Sequence, residues 1–526
     1  MTRLSTLDAT MVLAYAVFIF ALAQWVSRRR AGVEDDSAGY FLAGRTLPWW
    51  AIGASLIAAN ISAEQIVGMA GSGYAIGLAI ASYEWMAAAT LLIVGKVFLP
   101  VFLKHRITTM PEFLEARFGP TIRTVMAGFW LVLYVFVNLT SILWLGSIAV
   151  TKVAGIDQDL ALALLGLFAL AYQLKGGLKA VALTDIVQVA LLVAGGLVVS
   201  AIALGRLGDG GGILAGFARL TREVPDHFHM ILGPDSPHYK DLPGLGVLIG
   251  GMWIANLSYW GFNQYIIQRT LAAKSLAEAQ RGIVFAAFLK LLMPVIIVLP
   301  GIAAVLLAPG LAKPDEAYPT MMALLPPGLL GLVFAALTAA IVASTASKIN
   351  SIATIFTLDL YARKVRPGAS ERQLVTVGRI TACVATVIGI VAARPLLGGL
   401  DQAFQYIQEF SGFVTPGILV IFLTGLFWRR ATEAGALAGA LASVVFSAAF
   451  RFSPVPALTE VPFMHRMTIV FFASLALTAL VSWLRPAPAS TGHDMMKDVS
   501  FATSRAFNLA AALILVILAA LYAVWW

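Results

Sequence analysis

Cysteine is nearly missing from this chain: Cys383 is the single one in 526 residues. That excludes a disulfide framework and any cysteine-built metal site. Charge is scarce too, at 12% of residues against 60% hydrophobic. A soluble domain of this length has too little interior to bury so much apolar surface, so lipid must solvate much of it. The six histidines lie mostly in polar stretches, and His227 and His229 have no third ligand with a reason to join them. HExxH, GxSxG and paired aspartates within apolar runs are all lacking, so no nucleophile–base set can be assembled and enzymatic chemistry is not expected. Low-complexity tracts and a soluble domain are lacking as well.

What is present is a series of apolar runs of about 20 residues, the length that crosses a ~30 Å hydrocarbon core. Fourteen spans are expected, at roughly 9–27, 48–74, 77–103, 122–150, 158–174, 180–205, 243–268, 278–307, 327–349, 374–393, 401–427, 432–450, 466–484 and 506–526. The first reads as an uncleaved span, not a signal peptide, because it is long and lacks a small-residue cleavage site. With residue 1 outside, the inner loops collect about twice the Lys and Arg of the outer ones, Arg117 and Arg269 among them. Both termini are therefore expected outside a cell (inner) membrane, and the net charge of +9 is topological, with no call for nucleic acid. The whole of 1–526 reads as one polytopic all-α domain: 1–47 first span and inner loop, 48–205 first repeat, 206–242 outer loop, 243–427 second repeat, 428–526 terminal spans.

Two spans are not uniform. The second carries Asn60, Ser62, Glu64 and Gln65 with Gly68, Gly71 and Gly73 following; the seventh carries Asn256, Ser258, Tyr259, Trp260, Gly261, Asn263 and Gln264. Polar, unwound backbone at membrane depth is tolerated only inside protein or along a polar cavity. The two segments stand five spans apart and enter from opposite faces, which is the pattern of an inverted repeat with a midplane site. Glu84 in the third span and Lys290 in the eighth each need a partner in the bilayer centre. Together they leave a near-neutral cavity, suited to an uncharged polyhydroxy ligand. Asn60, Gln65, Asn256 and Gln408 add amide donors and acceptors, and Tyr259 and Trp260 offer a flat face for a sugar ring.

The chain resembles the sodium:solute symporter family. The likeness lies in 51–65 with Gly71-Ser-Gly-Tyr74, Ser82-Tyr-Glu-Trp85, Val137-Asn-Leu-Thr140, Gly176-Gly177 with Thr184-Asp185 and Gln188, Trp260 through Thr270, Phe285 through Lys290, and Ala403 through Glu409. The resemblance implies a five-plus-five inverted repeat with flanking helices, alternating access, and a galactose-type site at Gln65, Glu84, Asn256, Lys290 and Gln408, with Asn60 close by. It implies Tyr259 as inner gate and Met69, Tyr83 and Phe404 as outer gate. It further implies a sodium site from carbonyls of Ala58, Ile61 and Ala340 plus two consecutive hydroxyls, where this chain has Ala343 and Ser344. Losing one of about five oxygens weakens a hard-cation site, and Thr345 substitutes only if the helix turns. Ala87 replaces an expected serine beside the sugar. Four residues past Ser344, on the same helix face, Lys348 is expected to guard the cation pathway and pair with Asp185.

The function expected is secondary active uptake of a neutral hexose with sodium as coupling ion and no other cofactor or obligate protein partner. The alternatives are a sodium-independent or proton-linked sugar or polyol carrier on the same scaffold, and, more remotely, an ion-translocating antiporter-like subunit, which would need a line of buried charges.

Overall fold

The computed structural model describes residues 4–28, 45–399, 403–486 and 494–526; the side chains of 23–28, 175–185 and 406 are outside that description, as is the expected inner loop over 29–44. Among the described residues the chain is helical, with an isolated bridge between Leu47 and Ala273 in place of any strand. In chain order the elements are α1 Thr6–Arg28, α2 Trp49–Asn60, α3 Glu64–Ala75, α4 Leu78–Lys104, α5 Met110–Arg117, α6 Pro120–Ala154 and α7 Gln158–Leu207. There follow α8 Met252–Phe262, α9 Gln264–Leu271, α10 Leu276–Leu307, α11 Leu329–Val365, α12 Glu371–Leu397, α13 Ala403–Ser411, α14 Thr415–Phe427, α15 Glu433–Phe452, α16 Phe463–Leu484 and α17 Arg505–Val524.

Nine described helices are long and apolar enough to cross a bilayer, or up to 11 if each of two bent pairs is one span. Thr6–Leu22, Gln158–Leu174 and α8 with α9 are helical counterparts of further expected spans but fall short of that test. Large apolar side chains such as Val391, Val445, Trp483 and Leu513 lie exposed on the outermost helices, where lipid supplies their solvent.

Both expected discontinuities are present. α2 ends at Asn60, Ile61 is extended, and α3 resumes at Glu64 bent by 61°. α8 ends at Phe262, Asn263 is extended (φ −82°, ψ 120°), and α9 resumes at Gln264. A third bend, of 41° between α13 and α14, falls within a run expected to be one span.

Three further expectations need correction. The inner loop expected near 175–179 is not a break in the backbone, since α7 runs as 50 residues of continuous helix. Arg269 is not a loop charge: it is fully buried, donating to Ser55 Oγ at 3.1 Å, to the Tyr265 carbonyl and to Ser347. Arg117 is also buried, and its guanidinium donates to the carbonyls of Gly425 and Trp428 at 2.8 Å each. The Arg117 guanidinium satisfies carbonyls left over at a helix end, whereas Arg269 is held mainly by buried hydroxyls.

A buried loop ties two of these helices together. Asp315 accepts from the Ala403 amide at 3.3 Å, and its other oxygen lies against Gly71 with no hydrogen-bond partner. Burial raises its carboxyl from 3.8 to about 7. A raised acid is protonated more readily folded than unfolded, so ionising it costs stability as pH climbs from about 3.8 to about 7. Asp315→Asn removes that cost. Its melting temperature relative to the native chain is expected to rise across that window and level off above it; a pH-independent difference would contradict the account.

Candidate functional site

The two breaks face one cavity of about 110 Å³, lined by Asn60, Gln65, Glu84, Asn256, Tyr259, Trp260 and Gln408. The structure thus gathers seven of the eight expected sugar-site residues on one wall, from α2, α3, α4, α8 and α13. The eighth, Lys290 on α10, is 1% exposed and stands behind the wall. Its ammonium lies 2.5 Å from Glu84 Oε2, donates to Asn60 Oδ1, and sits 4.9 Å from the Trp260 ring centre. A buried charge of this kind is stable only with such partners, and the expected Glu84–Lys290 pair is formed.

Each break supplies part of the polar wall. At the first, Gln65 Oε1 accepts from the Ser62 hydroxyl at 2.9 Å and the Ser62 amide at 3.3 Å, leaving the NH2 group as the donor Gln65 offers. At the second, Asn263 accepts from the Tyr134 hydroxyl, which itself accepts from the Gln264 amide at 2.9 Å. Gln264 Oε1 accepts from the Met110 amide at 2.8 Å. These bonds satisfy the interrupted backbone inside protein, as the bilayer requires.

Asn256 is held by one atom and open at another: its Oδ1 accepts from Trp260 Nε1 at 3.2 Å, while the buried Nδ2 has no partner. A buried orphan donor on a cavity wall is costly unless a ligand oxygen fills it. Tyr259 accepts from Asn60 Nδ2 at 3.0 Å and from the Tyr265 hydroxyl. At the opposite end Tyr83 and Phe404 meet edge to face at 5.4 Å with Met69 beside them in the lining. Gly68 lets Phe404 come this near, because a Cβ there would stand 2.9 Å from Phe404 Cβ.

Of the residues expected for a cation, Ala58 lies on α2 and Ile61 just past its end, while Ala340 and Ser344 lie on α11, which packs against α2. Ser344 Oγ donates to the Ile341 carbonyl at 3.0 Å, and Thr345 donates to the same carbonyl at 2.7 Å. The stretch carrying Thr345 is regular helix, without the turn its substitution would require. Lys348 does not stand alone: its partner is Glu64, at 3.4 Å. The Asp185 side chain is outside the described residues. Glu64 is not among the expected site residues, although an acid at membrane depth is itself a signal. Tyr134 and Tyr265 carried no local signal; only their contacts with the second break reveal them.

Helices broken at mid-membrane around one polar cavity define a secondary transporter of the inverted-repeat class. The chain belongs to the sodium:solute symporter family, whose profile matches residues 40–443. It is 49% identical over 545 aligned residues, and 99% of each chain, to the sodium/glucose cotransporter of Vibrio parahaemolyticus. It is 35% identical to the human sodium/myo-inositol cotransporter 2, covering 83% of this chain and 68% of that one. In fold it matches a Na+-coupled sialic acid symporter in a substrate-bound, outward-open state, with a TM-score of 0.80 at 23% identity over 93% of this chain and 99% of that one. A nucleobase-cation-symport-1 family transporter matches at a TM-score of 0.53 and 14% identity, covering 90% and 98%. These solved neighbours share the fold of transporters built from inverted repeats.

Proposed function

We propose that this chain takes up a neutral hexose of the galactose or glucose type by alternating access, with sodium as the coupling ion. The observation that carries the reading is the orphan Nδ2 donor of Asn256, set in an amide-lined cavity whose Lys290–Glu84 pair leaves no net charge. The Vibrio relative, named a sodium/glucose cotransporter, supports the same cargo. In this reading Gln65, Glu84, Asn256, Lys290 and Gln408 hold hydroxyls, Tyr259 and Trp260 face the ring, and Met69, Tyr83 and Phe404 close the outer end. Sodium binds among Ala58, Ile61, Ala340 and Ser344 as cargo. The repeats span 48–205 and 243–427, and the protein works in the plasma membrane with both termini outside. A carrier needs no catalytic residue, and none is assigned.

A second reading, uptake of a polyol, draws on Ala87, which removes a hydroxyl from the fourth helix, and on the relatives named for myo-inositol. The deciding experiment offers a panel of labelled hexoses and polyols to reconstituted vesicles with and without a sodium gradient. Saturable, gradient-driven accumulation of a hexose is the expected result; accumulation of polyols alone favours the second reading, and of neither refutes both. In the same assay Asn256→Ala is expected to raise the half-saturating hexose concentration by roughly tenfold, as loss of one hydrogen bond to a buried ligand does.

A further inference from the structure

Beside Lys290 and Glu84 the cavity region holds a second buried pair of opposite charge. Lys348 Nζ lies 3.4 Å from Glu64 Oε2 and 4.9 Å from the centre of the Tyr265 ring. The lysine is 1% exposed, whereas Glu64 is 9% exposed and contributes to the cavity lining. Ser141 donates to the other carboxylate oxygen. A buried pair is weak as a device for stability, since apolar replacement is often neutral or better. One that opens on a cavity at membrane depth calls for a functional account.

The backbone beside it has the same polarity. α2 stops at Asn60, Ile61 turns to an extended conformation (φ −74°, ψ 99°), and Glu64 opens the next segment. The last carbonyls of α2 therefore meet no following helical turn, and the negative end of that helix faces the break. Helix-end carbonyls beside a carboxylate form a place for a cation. Here the positive charge at the carboxylate belongs to the chain itself.

We propose that Glu64 and Lys348 form the charge-setting pair of the ion pathway, the Lys348 ammonium being a resident cation with which arriving sodium competes. The inference rests on the sodium-driven reading above and extends it to cation demand. Its state is communicated to the sugar wall by a continuous chain: Lys348 lies over Tyr265, whose hydroxyl donates to Tyr259, which accepts from Asn60, which accepts from Lys290. A free carboxylate would draw sodium strongly. A paired one presents no net charge, so the native chain responds to sodium only shallowly.

Two titrations test this in the native chain, Lys348→Met, Glu64→Gln, the double variant and Lys348→Arg. One follows labelled hexose uptake into proteoliposomes against sodium; the other follows intrinsic tryptophan fluorescence against sodium without sugar. The local charge orders the half-saturating sodium concentrations. Lys348→Met is expected lowest, by roughly tenfold, within the usual range of coupling between sites. The native chain, Lys348→Arg and the double variant are expected together, and Glu64→Gln highest. Equal half-saturation in all five, with only maximal rates altered, would mark a purely structural pair and overturn the proposal, as would a native value as low as that of Lys348→Met. If Lys348→Met fails to insert, a Glu64→Gln half-saturation equal to that of the double variant overturns it as well. Should no hexose be carried but the fluorescence order hold, the sugar reading fails and the pair keeps its role.

Discussion

Lys290→Ala is expected to lower saturable hexose uptake in proteoliposomes by at least about a hundredfold. Lys290 pairs with Glu84 and also donates to Asn60, which in turn donates to Tyr259. Removing the ammonium leaves a carboxylate uncompensated in a low-dielectric wall, a loss of about 3–5 kcal/mol when one member of a buried pair goes. It also frees Asn60 and Tyr259 to reorient, so the sugar loses several contacts together. Folding and function can be separated with Lys290→Met combined with Glu84→Gln, which restores neutrality. That double variant is expected to insert and melt near the native temperature yet still carry no sugar. Native-like uptake by either variant would refute the pocket. Gln65→Ala is expected to abolish saturable uptake likewise, with insertion and melting unchanged.

Gly301→Leu is expected to prevent recovery of a folded, monodisperse protein. A Cβ at Gly301 would lie 2.1 Å from the Ala70 carbonyl oxygen and 2.9 Å from its carbon, so the obstacle is backbone and cannot swing aside. The contact is reciprocal, since a Cβ at Gly73 would lie 2.8 Å from the Val298 carbonyl oxygen. α3 and α10 thus approach through small residues on both sides, the usual means of bringing membrane helices close. Separating them moves the second half of the first broken helix, and the cost exceeds the ~1–3 kcal/mol of ordinary overpacking. Gly128→Leu is the control, because no atom lies within 4 Å of a Cβ there. Size-exclusion profiles and thermal melts in detergent give the comparison; a Gly301→Leu protein that matches the control would show that the helices can part at little cost.

Much of the site could be read before any helix was placed. Asn60 with Gln65 and Asn256 with Asn263 announced the two breaks, because amides and unwound backbone are rare at membrane depth unless they line a cavity. Glu84 and Lys290 announced each other, because neither charge is tolerable there alone. The same argument applies to Lys348, whose partner among the described residues is Glu64. Opposite charges state that a partner is needed; which one supplies it depends on how α3 and α11 pack, across 284 positions of chain.

Composition and the spacing of apolar runs by themselves determined that this protein lives in lipid, is helical, and interrupts two helices at matched positions. Those are local consequences of solvation and of backbone hydrogen bonding. Only the tertiary structure decided that Tyr134 and Gln264 satisfy the second break, that Tyr265 joins Lys348 to Tyr259, and that Arg269 is buried against Ser55 and Ser347. Each depends on a separation of a few ångströms between helices remote in sequence, and hydropathy carries no record of such distances.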